Sequence, residues 1–155
     1  MFKLKRSPLI ILIASVAIAP VAVLAANFDS LTIKTGFRQS TVNGFTGGSY
    51  SFSEQFSSRD RNGKQCLGFG DTNPDHILTL QNDFPKLNLQ VSSGGNDTTL
   101  VMQGPNDETL RCGDDSDRSR DASIKDVNVP AGTYKIWVGS VQPGQRWNYR
   151  LSVSE

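Results

Sequence analysis

Apolar and polar residues alternate one for one through the longer stretches of this chain, and that pattern constrains its fold more than anything else in it. Leu87, Leu89 and Val91 alternate with Asn88, Gln90 and Ser92. Tyr134, Ile136 and Val138 alternate with Lys135 and Trp137, and Trp147, Tyr149, Leu151 and Val153 with Asn148, Arg150 and Ser152. Successive side chains of a strand point to opposite faces, so this spacing lays one face on a core and leaves the other polar. Weaker versions occur at Leu31, Ile33 and Thr35, at Tyr50, Phe52, Glu54 and Phe56, at His76, Leu78 and Leu80, at Leu100 and Met102, and at Ile124, Val127 and Val129. No window holds an apolar period of 3.6. With 14 Gly and 7 Pro punctuating the runs, the pattern predicts seven to nine short strands in an all-β sandwich or barrel. The polar, Gly-rich stretch 57–74 reads as a surface loop rather than a domain boundary.

The first 25 residues read differently. Lys3, Lys5 and Arg6 precede an uncharged apolar run over 9–24, and Val23-Leu24-Ala25 fits a small-residue cleavage site. This predicts a secretory signal peptide over 1–25, a single domain over 26–155, and a secreted or periplasmic location. An uncleaved anchor helix is the alternative, weakened by Pro8 and Pro20. Losing Lys3, Lys5 and Arg6 from 16 basic residues leaves 13 against 15 acids. A near-neutral domain without basic runs gives no electrostatic case for nucleic acid or, after cleavage, for a membrane surface. Cys66 and Cys112 are the two cysteines, and in an oxidising compartment an isolated pair predicts a disulfide. Closing a loop of 46 residues contributes about 4 kcal/mol on the chain-entropy account.

Candidate chemistry gathers around one predicted hairpin. A strand at 98–102, a turn at Gly104-Pro105-Asn106-Asp107 and a return through Cys112 end in an acidic loop bearing Asp114, Asp115, Asp117 and Asp121. Calcium takes six to eight oxygens from carboxylates and carbonyls. Asp114, Asp115 and Asp117 are therefore candidate calcium ligands, with Asp97 brought near from the start of the paired strand and Asp107 at the far turn. It is not an EF-hand, because Arg120 stands where that loop needs Gly and no helical pattern flanks it. Neutralisation of the same acids by Arg111, Arg118 and Arg120 is the competing account.

Catalytic constellations are sparse. His76 is the one histidine, placed in phase with Leu78 and Leu80, where a hydrogen-bonded structural role is the ordinary one. No G-x-S-x-G elbow occurs, and one histidine beside a bridged cysteine pair does not make a zinc site. A pair of acids from the 114–121 loop acting as general acid and base is the surviving hydrolase reading. Trp137 alternates against Tyr134, Ile136 and Val138, so it is expected on the outward face, where it stacks on a ligand, or else covers the opposite sheet edge or packs under a loop.

An ordered set of motifs carries a resemblance: Asp97-Thr98-Thr99-Leu100, then Gly113-Asp114-Asp115, then Ala131-Gly132-Thr133-Tyr134-Lys135-Ile136-Trp137-Val138, then Tyr149-Arg150-Leu151-Ser152-Val153. Together they resemble the bacterial pre-peptidase C-terminal domain over roughly residues 75–155. The resemblance implies a jelly-roll-like antiparallel β-sandwich attached to secreted peptidases and used for binding rather than catalysis. Some relatives, such as the collagen-binding modules of clostridial collagenases, bind calcium and a protein or polysaccharide. The chain departs from that setting in having no peptidase domain beside the module and in carrying Cys66, Cys112 and the segment before Asp75. The expectation is an exported, non-catalytic binding module for an extracellular protein or polysaccharide, with a secreted peptidase among the candidate partners and calcium as the one candidate cofactor. A secreted hydrolase and a structural envelope or matrix protein are the competing classes.

Overall fold

The computed structural model describes residues 25–105, 109–116 and 119–155. Nearly all of the expected signal segment lies outside those residues, as do Asp107, Asp117 and Arg118. Among the described residues no helix is long and apolar enough to cross a membrane. The described chain forms β1 (Leu31–Ile33), β2 (Gln39–Phe45), β3 (Tyr50–Ser51), α1 (Phe52–Gln55), β4 (Phe69–Gly70), β5 (His76–Leu80), β6 (Phe84–Ser92), β7 (Thr98–Gln103), β8 (Arg111–Ser116), β9 (Ser119–Val129), β10 (Gly132–Ser140) and β11 (Asn148–Ser154).

Nine of these follow one another across a continuous path, β1-β5-β10-β7-β8-β9-β6-β11-β2. β8 is where the path turns the corner. Its Arg111, Cys112 and Gly113 pair with β7, whereas Asp114, Asp115 and Ser116 pair with β9, with a register irregularity after Asp115. The path thus divides into a first sheet, β1, β5, β10, β7 and the start of β8, and a second sheet, the end of β8 with β9, β6, β11 and β2. A strand that changes sheets through a bulge is the usual way to build such a corner. Pairing is antiparallel except for β1, which runs parallel to β5. The short β3 and β4 pair with each other, and β4 continues onto the end of β10.

The alternating apolar positions meet between the sheets. Leu78, Leu80, Leu100, Met102, Ile136 and Val138 of the first sheet face Leu87, Leu89, Val91, Ile124, Leu151 and Val153 of the second in one buried cluster. Each such side chain contributes about 1.5–3 kcal/mol on burial.

A second cluster lies on the opposite side of the first sheet. Trp137, Val101 and Cys112 stand side by side across β10, β7 and β8, and Phe52, Leu110 and Cys66 cover them. Residues 52–70 fold back over this face. The Cys66–Cys112 disulfide ties that segment to β8, with Cα atoms 5.1 Å apart. Phe56 packs its ring edge-on against Trp137 at 4.6 Å between centroids.

Two expectations are corrected here. The alternation at Tyr50, Phe52, Glu54 and Phe56 is not a strand beyond Ser51. Residues 52–55 form α1, because Phe52 and Phe56 are four apart, a spacing that one helical turn also places on one face. Residues 39–45, read as no element, form β2, whose Val42 is the one fully buried apolar side chain of that strand.

Candidate metal site and its surroundings

The corner in β8 assembles the acids. Asp114 and Asp115 belong to a strand rather than to the loop expected for them, and Asp97 immediately precedes β7, the partner of β8 in the first sheet. One carboxylate oxygen from each of Asp97, Asp114 and Asp115 lies within 4.8 Å of the others. Two ligands on opposite sides of a calcium ion held at 2.3–2.6 Å are separated by about that distance. The donor set is all oxygen, which suits a hard cation. Asp114 Oδ1 is buried without a hydrogen-bond partner. Burial pushes the Asp114 carboxyl above the usual carboxylate range, and the charges of Asp115 and, more weakly, Asp97 push it the same way. A divalent cation would relieve all three effects.

The remaining acids of the stretch are occupied elsewhere. Asp121 is buried and accepts hydrogen bonds from the Ser93 N–H and hydroxyl and from the Ser119 hydroxyl. Asp126 is buried and ion-paired with Arg111. That pairing also removes Arg111 from the arginines expected to neutralise the acidic corner. Two cationic side chains of the covering segment lie near it. Arg59 and Lys64 line the same groove as Asp114 and Asp115, together with Gln65 and Leu67.

Trp137 takes the covered arrangement rather than the open one. It points away from the main core as expected, but it is 3% exposed, because residues 52–70 cover the face that alternation alone leaves open. A ligand cannot stack on it without displacing that segment. Its indole N–H is buried without a partner.

His76 is committed structurally. It is 1% exposed, its Nε2 lies 2.9 Å from the Tyr149 hydroxyl and its Nδ1 lies 2.7 Å from the Asp29 carbonyl. Burial holds its pKa below the ordinary histidine value. With both ring nitrogens engaged, it is not placed to act as a general base on an external substrate.

Two buried acids escaped sequence reasoning. Asp60 accepts N–H groups from Asn62 and Lys64 in its own turn and from Cys112 across the covered face. The Asp-Arg-Asn-Gly order at 60–63 was a visible signal for the local turn, but not for the long-range bond. Asp75 accepts the Val138 N–H at 2.8 Å and an Asn27 amide N–H at 3.2 Å. Burial raises its pKa to about 7 despite those bonds.

No protein-family model matches the sequence, and no curated protein matches it. Solved structures do. The pre-peptidase C-terminal domain of collagenase from Bacillus anthracis is 15% identical over 81% of this chain and 94% of its own, with a TM-score of 0.45. PliG from Aeromonas hydrophila, a periplasmic lysozyme inhibitor of g-type lysozyme, is 15% identical over 81% of this chain and 97% of its own, with a TM-score of 0.43. The first is the domain type that the ordered motifs resemble; both likenesses are of fold.

Proposed function

We propose that the protein is an exported β-sandwich module that binds an extracellular protein or polysaccharide without catalysing a reaction, and that calcium held by Asp97, Asp114 and Asp115 stabilises it. The observation that carries the metal reading is the convergence of these three carboxylates at the corner where β8 changes sheets. Asp117, two residues on in the sequence, is the natural fourth ligand to test. The signal-like segment and the disulfide support an oxidising compartment outside the cytoplasm. The engagement of both His76 nitrogens supports a non-catalytic role.

Thermal unfolding in EDTA against millimolar calcium tests the metal. A ligand that binds only the folded state stabilises by about 2.7 kcal/mol at a hundredfold excess over Kd, so the melting temperature is expected to rise by several degrees and to fall back with chelator. Asp115→Asn and Asp114→Asn should abolish the rise, whereas Ser152→Ala on the second sheet should keep it. An identical melting temperature with and without calcium would leave Arg59 and Lys64 as the groups that balance these acids. Binding to an array of extracellular glycans and peptides tests the module.

A further inference from the structure

The outer face of the second sheet is bare, and its composition is unusual for this chain. Side chains that do not enter the core stand in cross-strand rows. Asn43 of β2, Arg150 of β11 and Ser92 of β6 form one row, and Thr41, Ser152 and Gln90 form the next. The chain carries 15 acids, yet none falls on an outward position of β2, β11 or β6. The two acids of β9, Asp121 and Asp126, are both buried, and the second row meets a carboxylate only at its far end, where Asp114 of β8 pairs with Ser123, three strands from β11. Arg150 is exposed and makes no ion pair among the described residues. Lys86 lies on the same face of β6, exposed. Asparagine is disfavoured in strands, so Asn43, Asn88 and Asn148 on adjacent strands of one face are not explained by strand formation.

Around the first row runs a groove of about 550 Å³ lined by Asn43, Gly44, Ser92, Asn148, Tyr149 and Arg150. Tyr149 shows little of itself there, since its side chain is buried against His76. The groove therefore offers amides, hydroxyls and a guanidinium, with no aromatic platform. On this face Val127 is exposed at the far end beside Lys86, and Phe45, paired with Asn148, is half-buried with Arg146 over its ring. Protein interfaces are anchored by buried aromatic and apolar side chains, which the groove itself lacks. Single-stranded nucleic acid is held by base stacking on aromatics, which it also lacks. A regular lattice of hydrogen-bonding groups around a positive charge, free of carboxylates across β2, β11 and β6, complements a chain of hydroxyls carrying negative charge.

We propose that this face binds an anionic polysaccharide, one bearing sulfate or uronate groups, with Arg150 contacting the charge and Asn43, Ser92 and Asn148 the hydroxyls. This rests on the binding-module reading above and names its ligand class and its surface. The test is affinity electrophoresis of the mature protein through gels containing dextran sulfate, alginate or unmodified dextran, with a single-stranded DNA oligomer as a competing polyanion.

Retardation is expected in dextran sulfate or alginate, the stronger of the two identifying sulfate or uronate, and none in dextran. Arg150→Glu should weaken it by about tenfold, the size of one charge-assisted hydrogen bond. Arg150→Lys should keep most of it, and Asn43→Asp should lose it independently should Arg150→Glu fold poorly. Retention unchanged by Arg150→Glu and Asn43→Asp would overturn the proposal while leaving a binding module elsewhere on the surface. Retention by dextran equal to that by dextran sulfate would overturn the role of charge and with it the proposal. Tighter, variant-sensitive binding of the DNA oligomer would replace polysaccharide with nucleic acid. Failure to bind any polymer or any array member would overturn both readings.

Discussion

The two sheets share a core but treat their other faces in opposite ways. The first sheet has a second layer, residues 52–70, packed on Trp137, Val101 and Cys112. The second sheet presents amides, hydroxyls and Arg150 to solvent. Strand sequences reflect the difference. β11 reads exposed-buried-exposed-buried at 148–151, whereas β7 is buried at every position from Thr98 to Met102. Covering a sheet with irregular chain brings polar groups into the interior, and each must find a partner there. Asp60 and Asp75 do so around the first sheet, while Thr99 Oγ1 and Trp137 Nε1 do not. The bare face avoids that demand and stays free for a partner.

The sharpest way to break this contrast is to truncate one residue from each face. Trp137→Ala is expected to lose about 3–5 kcal/mol of unfolding free energy in urea, whereas Arg150→Ala should change it by no more than about 0.5 kcal/mol. Trp137→Phe should recover most of the loss, because the indole N–H it removes has no partner. A mild Trp137→Ala variant would mean that the covering layer is not packed as described.

The next effect is that of the tether. Replacing Cys66 and Cys112 with serine removes the link between the covering segment and β8, and about 2–4 kcal/mol of stability with it. The layer and the sandwich should respond unequally. Trp137 fluorescence should shift to the red and protease should cut within 57–65 before the second sheet loses its β-sheet circular dichroism. Simultaneous loss of both would show that the layer and the sandwich form one cooperative unit.

The same contrast explains what could be read in advance. Strands with one wet face announced themselves: β6 and β11 alternate so regularly that their core positions follow from spacing alone. β2 did not, because Gln39, Ser40, Thr41 and Asn43 leave Val42 as nearly its whole apolar signal. Its Gly44 sits where a side chain would collide with the Tyr149 ring, a tertiary reason with no local trace. Alternation gives Trp137 its face but leaves open whether a ligand or a loop covers it, since it says which way a side chain points and not what lies over it. Cys66 was the available clue, because a disulfide from a long loop to a strand brings that loop onto the sheet. The acidic cluster was legible to the extent that Asp97 was expected beside Asp114 and Asp115. That the corner of β8, rather than a loop, would join them was not, because a change of sheet within a strand depends on the partner strands on either side.

The smallest expected effect concerns Asp75, which ties the N-terminal segment to the covered sheet. Its carboxylate accepts from Asn27 and from Val138 in β10, and burial raises its pKa from 3.8 to about 7. A group whose pKa is raised by folding holds its proton more tightly in the folded state. Its contribution therefore favours folding below about pH 4 and is lost as pH rises towards and through 7. The adjacent His76 acts with the opposite sign: its lowered pKa means that the unfolded chain takes up a proton first as pH falls below 6.5, which disfavours folding. The wild-type profile sums the two, so the informative quantity is the difference from Asp75→Asn. That variant keeps an oxygen for the Val138 N–H and has no charge to desolvate. Relative to wild type, its stability should increase steadily between pH 4 and 7 and level off on the order of 1–3 kcal/mol higher above that. Urea unfolding of both proteins at pH 4, 5.5, 7 and 8 measures this directly. A difference that does not change with pH would mean that Asp75 is ionised throughout, with water reaching it beneath residues 27–29.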